Sequence, residues 1–363
     1  MAVGLHSAEA IPYALPFREP YVTARGTLTR REMVLLRLRD ENGLVGLGEA
    51  VPLSLRGGAS LAEVVRELEE LVAGDVLPNY FEHGSFEIFS MEEIDPRLAL
   101  SAPSWCALLT AILDLYGQQE DGASDSQAAP VLCNATLVNG DPMSVANAAL
   151  EWAEDGFETF KLKLGVGEDV AQVRAVREAV GPEAKIRVDA NAAWSLDTAT
   201  EILAELEPLD IELVEQPVET IEDAAELSRR TSIPLAGDES IVDQEDAERA
   251  ADLDAFQVVG IKLSKVGGFY TGMEIAEVMP CYVSSALDGP VGIAAGAHLA
   301  DSTRHDDWST KRPQFAHGLA TQRLFASTIA SVECELRDGM LYPPPGPGLG
   351  VEIDEDALRA HRL

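Results

Sequence analysis

Six lysines stand in this chain of 363 residues, and two of them, Lys161 and Lys163, lie two positions apart in the run Thr159-Phe-Lys-Leu-Lys-Leu-Gly-Val-Gly167. In a β-strand that spacing sends both ammonium groups to one face. Phe160, Leu162 and Leu164 take the other face, as in a packed strand. Two like charges repel, so each lysine makes the other easier to deprotonate, and partial burial acts in the same direction. A lysine tuned in this way can act as a base near neutral pH. The competing reading is a solvated edge strand whose charges guard against aggregation.

Downstream, Arg187-Val-Asp189 and Leu213-Val-Glu215 each end in a carboxylate, and Leu235-Ala-Gly-Asp238-Glu239 ends in two. Taken singly, each acid reads as a helix cap or a strand-end ion pair. Three from successive strands, converging at one mouth with nothing between them, would repel, and a hard divalent cation with oxygen ligands resolves that conflict. Mg²⁺ fits a site made largely of carboxylates with positions open for water and substrate. Lys262, in Gly260-Ile-Lys262-Leu-Ser-Lys265, is expected across the mouth from Lys161 and Lys163, so amines would face both sides of one bound molecule. Lys265 falls in the glycine-rich stretch that follows and reads as structural. The chemistry of such a set is proton abstraction beside a carboxylate: the cation takes up charge on the carboxylate oxygens while one lysine removes or returns the proton.

Elements that can position these residues follow from the pattern around them. Residues 33–39 and 44–49 read as two strands of a hairpin turned at residues 40–43, preceded by a small polar loop at 23–27. Helical periodicity follows at residues 62–73 and 101–118, before a polar linker at 119–129. From residue 130 short apolar runs alternate with helical stretches, the signature of a parallel βα array. The runs are 131–135, 160–164, 185–189, 211–215, 234–238, 255–262 and 281–285, with a weaker eighth near 314–319. Seven or eight units about 25 residues apart suit a barrel, whose strand C-termini open on one catalytic face. The expected organisation is an α+β capping domain over residues 1–125, a barrel over 126–338 and a tail over 339–363 that returns to the capping domain.

Composition limits the partners. An apolar fraction of 46% is ample for a large core, and the formal net charge of −35 is spread along the chain rather than gathered in a tail. Such a surface repels nucleic acid and anionic membranes, so neither is an expected partner. Scarce lysine with abundant acid resembles proteins of salt-loving organisms, in which salt screens the self-repulsion. Cys106, Cys133, Cys281 and Cys334 have no zinc or CxxC spacing, and no stretch of about 18 apolar residues or basic leader is present. A soluble, cytoplasmic protein is expected. His298, His305 and His317 lack metal-ligand spacing and read as core or surface residues.

Lys161-x-Lys163, Asp189, Glu215, Asp238 with Glu239, and Lys262, each one βα unit from the next, resemble the enolase superfamily in its muconate cycloisomerase subgroup. That resemblance implies a modified (β/α)₇β barrel with an N-terminal α+β capping domain. It implies Lys163 as acid and base, Lys161 as its partner, Asp189, Glu215 and Asp238 as Mg²⁺ ligands (Mn²⁺ as a substitute), and Lys262 as the opposing lysine. Glu239 and Asn191 would support the ligands; lysine bases beside Mg²⁺ are the general description of this superfamily's sites. Leu15-Pro-Phe-Arg18, Ala24-Arg-Gly-Thr27, Cys133-Asn-Ala-Thr136 and Ser284-Ser-Ala-Leu-Asp-Gly-Pro-Val-Gly292 look most like the o-succinylbenzoate synthases of menaquinone biosynthesis. By that likeness the substrate is a small carboxylate, 2-succinyl-6-hydroxy-2,4-cyclohexadiene-1-carboxylate. It would be dehydrated through an enediolate, with Arg25, Ser284, Ser285 and the helix amides after Gly289 as its binding groups. N-Succinylamino acid racemase, dipeptide epimerase and muconate cycloisomerase are the alternatives within the subgroup. The dipeptide epimerases usually carry an Asp-x-Asp at the eighth strand, and residues 315–322 hold no acid. A non-catalytic barrel that binds a small acid is the alternative outside it. Asp288 is expected to cap the helix that follows it, and a homo-oligomer is expected because barrels of this subgroup often assemble.

Overall fold

A computed structural model describes residues 4–23, 26–54, 57–83, 99–119, 128–304 and 315–363. Alternating apolar residues near the N-terminus build an antiparallel sheet of β1 (Leu5–Thr23), β2 (Gly26–Asp40) and β3 (Val45–Ala50), in that order. Val34, Leu36 and Leu38 of β2 share one face and pack against α1 (Leu61–Ala73) and α3 (Ala102–Gln119). Between these helices lies α2 (Val76–His83). Ser60 and Glu63 close a reciprocal cap at the start of α1. α3 lies directly on β3: a Cβ at Gly46 would fall 2.1 Å from the Ala111 carbonyl oxygen, and one at Gly48 would fall 1.8 Å from that of Ala107. Glycine at both positions is what lets helix and strand meet.

The barrel strands pair in parallel and in chain order. They are β5 (Ala135–Leu137), β6 (Thr159–Lys163), β7 (Lys185–Asp189), β8 (Ile211–Glu215), β9 (Leu235–Gly237), β10 (Val258–Ile261) and β11 (Cys281–Val283). An eighth position closes the ring through single bridges, Cys133 to His317 and Ser284 to Gly318, where the sequence had placed a weak eighth run. Around the strands lie α4 (Pro142–Glu154), α5 (Asp169–Val180), α6 (Leu196–Leu206), α7 (Ile221–Ser228), α8 (Gln244–Asp252), the short α9 (Leu263–Val266), α10 (Phe269–Val278) and α11 (Pro290–Ser302). Asp141, Ser195, Thr220 and Asp243 accept amides at the starts of α4, α6, α7 and α8, so four of these helices begin on a side-chain cap. The fold is the expected α/β class: a modified barrel with an N-terminal capping domain.

One expected strand is corrected. The run 131–135 serves two sheets: β4 (Val131–Leu132) pairs antiparallel with the tail hairpin, while Cys133 bridges to His317 and Ala135 lies opposite Phe160 in the barrel. The amide of Cys133 goes to the Gly339 carbonyl at 2.9 Å, which fixes the division. The tail supplies β12 (Ala330–Val332), β13 (Glu335–Arg337), β14 (Met340–Tyr342), β15 (Glu352–Ile353) and α12 (Glu355–His361). It reaches α3 through Leu349 N to Asp114 at 2.7 Å, and the first sheet through Leu363 N to the Pro12 carbonyl at 3.0 Å and an Arg37–Glu355 pair at 2.7 Å. Among the described residues no helix is long and apolar enough to cross a membrane.

Candidate active site

The register of the barrel strands brings the charged residues together. Lys163 lies opposite Asp189, and Asp189 lies opposite Glu215, so the side chains of three consecutive strands turn inward at one level. Asp238 and Lys262 follow β9 and β10 at the same end. All six are buried: the three carboxylates have no exposed surface, and Lys161, Lys163 and Lys262 are at most 5% exposed. Oxygens of Asp189, Glu215 and Asp238 lie within 4.8 Å of one another.

The carboxylates are not bare, as the sequence had suggested, but interleaved with ammonium groups. Lys161 Nζ donates to Glu215 Oε2 at 2.5 Å and lies 2.9 Å from Asp189 Oδ2; Lys163 donates to Asp189 Oδ2 at 2.6 Å and to Asn191 Oδ1 at 3.2 Å. Lys262 bonds to Asp238 and lies 3.4 Å from Glu215 Oε1. Lys265 joins them, bonded to the Asp238 backbone oxygen, to its Oδ1 at 3.1 Å and to the Gly260 carbonyl at 3.3 Å.

For Lys161 this arrangement overturns the expected depression. Burial does act to lower the pKa of Lys161, but Asp189, Glu215 and Asp238 outweigh it and hold the amine protonated. Burial likewise works against ionised Asp189, yet Lys161, Lys163 and Lys262 keep its carboxyl well below the usual range. Three hard oxygen donors in a dry cluster fit a divalent cation such as Mg²⁺, whose charge on the same carboxylates would take over the role the ammonium groups fill here.

The remaining site residues divide. Asn191 Nδ2 donates to Glu239 Oε1 at 3.0 Å, and the Asn191 amide bonds to Asp189 Oδ1 at 3.0 Å, so Asn191 links Glu239 to Asp189. Ser284 and Ser285 line the pocket above the lysines, together with Thr136, Arg31 and Leu287. The Gly289 amide is not turned to that pocket: it donates to Glu49 Oε1 at 2.6 Å, and Val291 bonds to the same carboxylate. Glu49, from the capping sheet, therefore caps α11. Asp288 does not, contrary to expectation. Its Oδ2 instead accepts from Ser285 Oγ and the Ala286 amide, both at 2.7 Å, which ties the loop that carries the two serines. Arg25 lies outside the described residues.

His317 is buried and accepts the Val283 amide on Nδ1 at 3.0 Å, and burial together with Arg304 and Arg187 pushes its pKa down to about 3. It is a neutral closure of the barrel, as its lack of ligand spacing suggested. Sequence reasoning missed Gln216, whose Oε1 accepts the amides of Asp238 at 2.8 Å and Ser240 at 3.3 Å and so fixes the turn carrying Asp238. Its place directly after Glu215 was the available signal.

Comparison with known proteins agrees with this geometry. Residues 144–357 match the model of the enolase C-terminal domain-like family, and residues 8–92 match that of the mandelate racemase/muconate lactonizing enzyme N-terminal domain. The chain is 31% identical over 309 residues to a hydrophobic dipeptide epimerase of Enterococcus faecalis, covering 80% of this chain and 85% of that protein. It is 37% identical over 234 residues to an o-succinylbenzoate synthase of Thermobifida fusca, covering 62% and 68%. Against muconate cycloisomerase 1 of Acinetobacter baylyi the figures are 29% over 381 residues, 98% and 99%. Among solved structures, a muconate lactonizing enzyme from Pseudomonas fluorescens complexed with muconolactone superposes with a TM-score of 0.86 over 100% of both chains at 26% identity.

Proposed function

We propose a specific activity from the premise that this chain belongs to the mandelate racemase/muconate lactonizing enzyme family of the enolase superfamily. It is an enzyme of that superfamily, and the reading best supported is dehydration of 2-succinyl-6-hydroxy-2,4-cyclohexadiene-1-carboxylate to o-succinylbenzoate with Mg²⁺. The observation that carries it is one pocket lined by Lys161 and Lys163 on one side and Lys262 on another, above three buried carboxylates, with no acid among its described lining residues. A substrate ammonium would find no carboxylate among those residues. A substrate with two carboxylates meets Arg31 and the hydroxyls of Thr136, Ser284, Ser285 and Thr321.

Asp189, Glu215 and Asp238 would hold the cation, which when bound would offset the negative charge building on the substrate carboxylate. Lys163 Nζ takes the α-proton and returns it to the departing hydroxyl on the same face, so that the Cα–H and C–O bonds break and water leaves. Lys161 stands on the same face of the strand as its partner, beside Asp189 and Glu215. Lys262, directly after β10, steadies the planar intermediate from the other face. Identity of 37% to an o-succinylbenzoate synthase and the absence of an acid at residues 315–322 support this reading.

A second reading rests on the opposed lysines, which also suit two-base racemisation of an N-acylamino acid. The test is turnover of the diene with Mg²⁺ beside Lys163→Ala. Dehydration is expected in the wild type, with a loss of roughly 10²–10⁴-fold in the variant and abolition by chelator. A wild type that leaves the diene untouched but exchanges the α-proton of N-acylamino acids would overturn the synthase reading and establish the second.

A further inference from the structure

Beneath the carboxylates, the barrel interior holds a stack of side chains that the reaction does not touch. Arg187, two residues before Asp189 on β7, has no exposed surface. Its Nε bonds to Glu212, and a terminal nitrogen donates to the Ala316 carbonyl at 2.6 Å. The guanidinium carbon lies 5.0 Å from the ring centre of Tyr282 and 5.6 Å from that of Phe315. A cation so placed is attracted to the ring faces and fixes them.

Tyr282, on β11, is equally buried, and its hydroxyl donates to Glu215 Oε2. That oxygen already accepts from Lys161 at 2.5 Å, so one oxygen of the carboxylate is tied from two directions. The ring leans across Gly260, its register partner on β10. A Cβ at Gly260 would stand 3.0 Å from the hydroxyl and 3.1 and 3.3 Å from two ring carbons. A carboxylate oxygen only accepts, so the phenol is the donor of this pair.

We propose that Tyr282 is a positioning residue for Glu215: stacked on Arg187 and admitted by Gly260, it ties Oε2 and so holds the carboxylate in its orientation within the three-carboxylate cluster. This rests on the reading of Glu215 as a metal ligand. Partners that orient a ligand from behind are worth about 10–100-fold in metal affinity.

The test is Mn²⁺ binding to the full chain, read by calorimetry and by the electron paramagnetic resonance line shape, for wild type, Tyr282→Phe, Gly260→Ala and the double variant. Tyr282→Phe keeps the ring on Arg187 and deletes only the donor. It is expected to weaken Mn²⁺ binding about 10-fold or more and alter the line shape, while unfolding in chelator stays cooperative. Gly260→Ala displaces the hydroxyl without deleting it and should weaken binding less. In the Tyr282→Phe background it should cost less than it does alone, since both act through one bond. Wild-type affinity in Tyr282→Phe overturns the proposal and leaves the metal site standing. Failure of the wild type to bind Mn²⁺ removes the metal reading and this proposal with it. Should Tyr282→Phe not fold, unchanged affinity in Gly260→Ala overturns it.

Discussion

Lys265 shows how closely charge is matched inside the barrel. Lys161, Lys163, Lys262 and Lys265 face Asp189, Glu215 and Asp238, and Lys265 alone among the four also bonds to the backbone oxygen of Asp238. Replacing it by methionine leaves Asp238 buried with one fewer cation, and breaking a buried pair from one side costs about 3–5 kcal/mol. Lys265→Met is therefore expected to lose stability in that range in urea unfolding with chelator present. A loss of only about 0–1 kcal/mol, the value of an exposed pair, would show that its contacts do not support the turn. The sequence announced most of this site because lysine is scarce and the acids recur at strand ends, so Lys161, Lys163, Asp189, Glu215, Asp238 and Lys262 stood out by type and spacing alone. Lys265 was set aside as structural, and its bonds place it behind Asp238. Tyr282 could not be found that way, since its partner Glu215 lies 67 positions away and its ring is indistinguishable from core filling until the register is known.

One strand and one helix meet at the joint between capping domain and barrel. Glu49, next to the last residue of β3, accepts the first amides of α11 from 240 positions away, with Tyr13 donating to its other oxygen at 2.8 Å. Periodicity announces an apolar face but not the element that covers it. That is why the strand carrying Glu49 was legible and its role was not, and why the apolar run at 131–135 was given whole to the barrel. Burial, then the nearby charge of Asp288, pushes the Glu49 pKa from 4.5 up to about 7, despite the bonds from Tyr13, Gly289 and Val291. An acid whose folded pKa is raised holds its proton in the folded chain while the unfolded chain has released it, so stability is fullest below pH 4.5 and falls as pH rises to about 7. The fall is worth about 3 kcal/mol for this group. Glutamine can accept the Gly289 amide and donate to Tyr13 without ionising. Glu49→Gln is therefore expected to flatten the decline in melting temperature between pH 4.5 and 7, and to exceed the wild type in stability above it. Parallel pH profiles for the two proteins would show that Glu49 does not carry that dependence.

Across the whole molecule the local balance of the barrel interior gives way to excess. The site sets four ammonium groups against three carboxylates, while the chain as a whole has 62 acidic residues against 27 lysines and arginines. The surplus therefore lies outside the barrel mouth, among acids such as Glu70, Asp197 and Asp356 that are largely exposed. Self-repulsion of that kind destabilises the compact state and is relieved by screening, and the Debye length shrinks from about 10 Å at 0.1 M salt to about 3 Å at 1 M. Exposed ion pairs such as Arg66–Glu70 and Arg359–Asp356 weaken over the same range, but each contributes little to begin with. Repulsion among the unpaired excess is thus the larger effect. The melting temperature in chelator is expected to rise steadily with KCl between these concentrations, and the rise should level off once the Debye length falls below the spacing of neighbouring acids. Sucrose, which strengthens burial by exclusion without screening charge, should not reproduce it. A melting temperature indifferent to KCl, or raised equally by sucrose, would mean that the acidic surface is not what salt acts on.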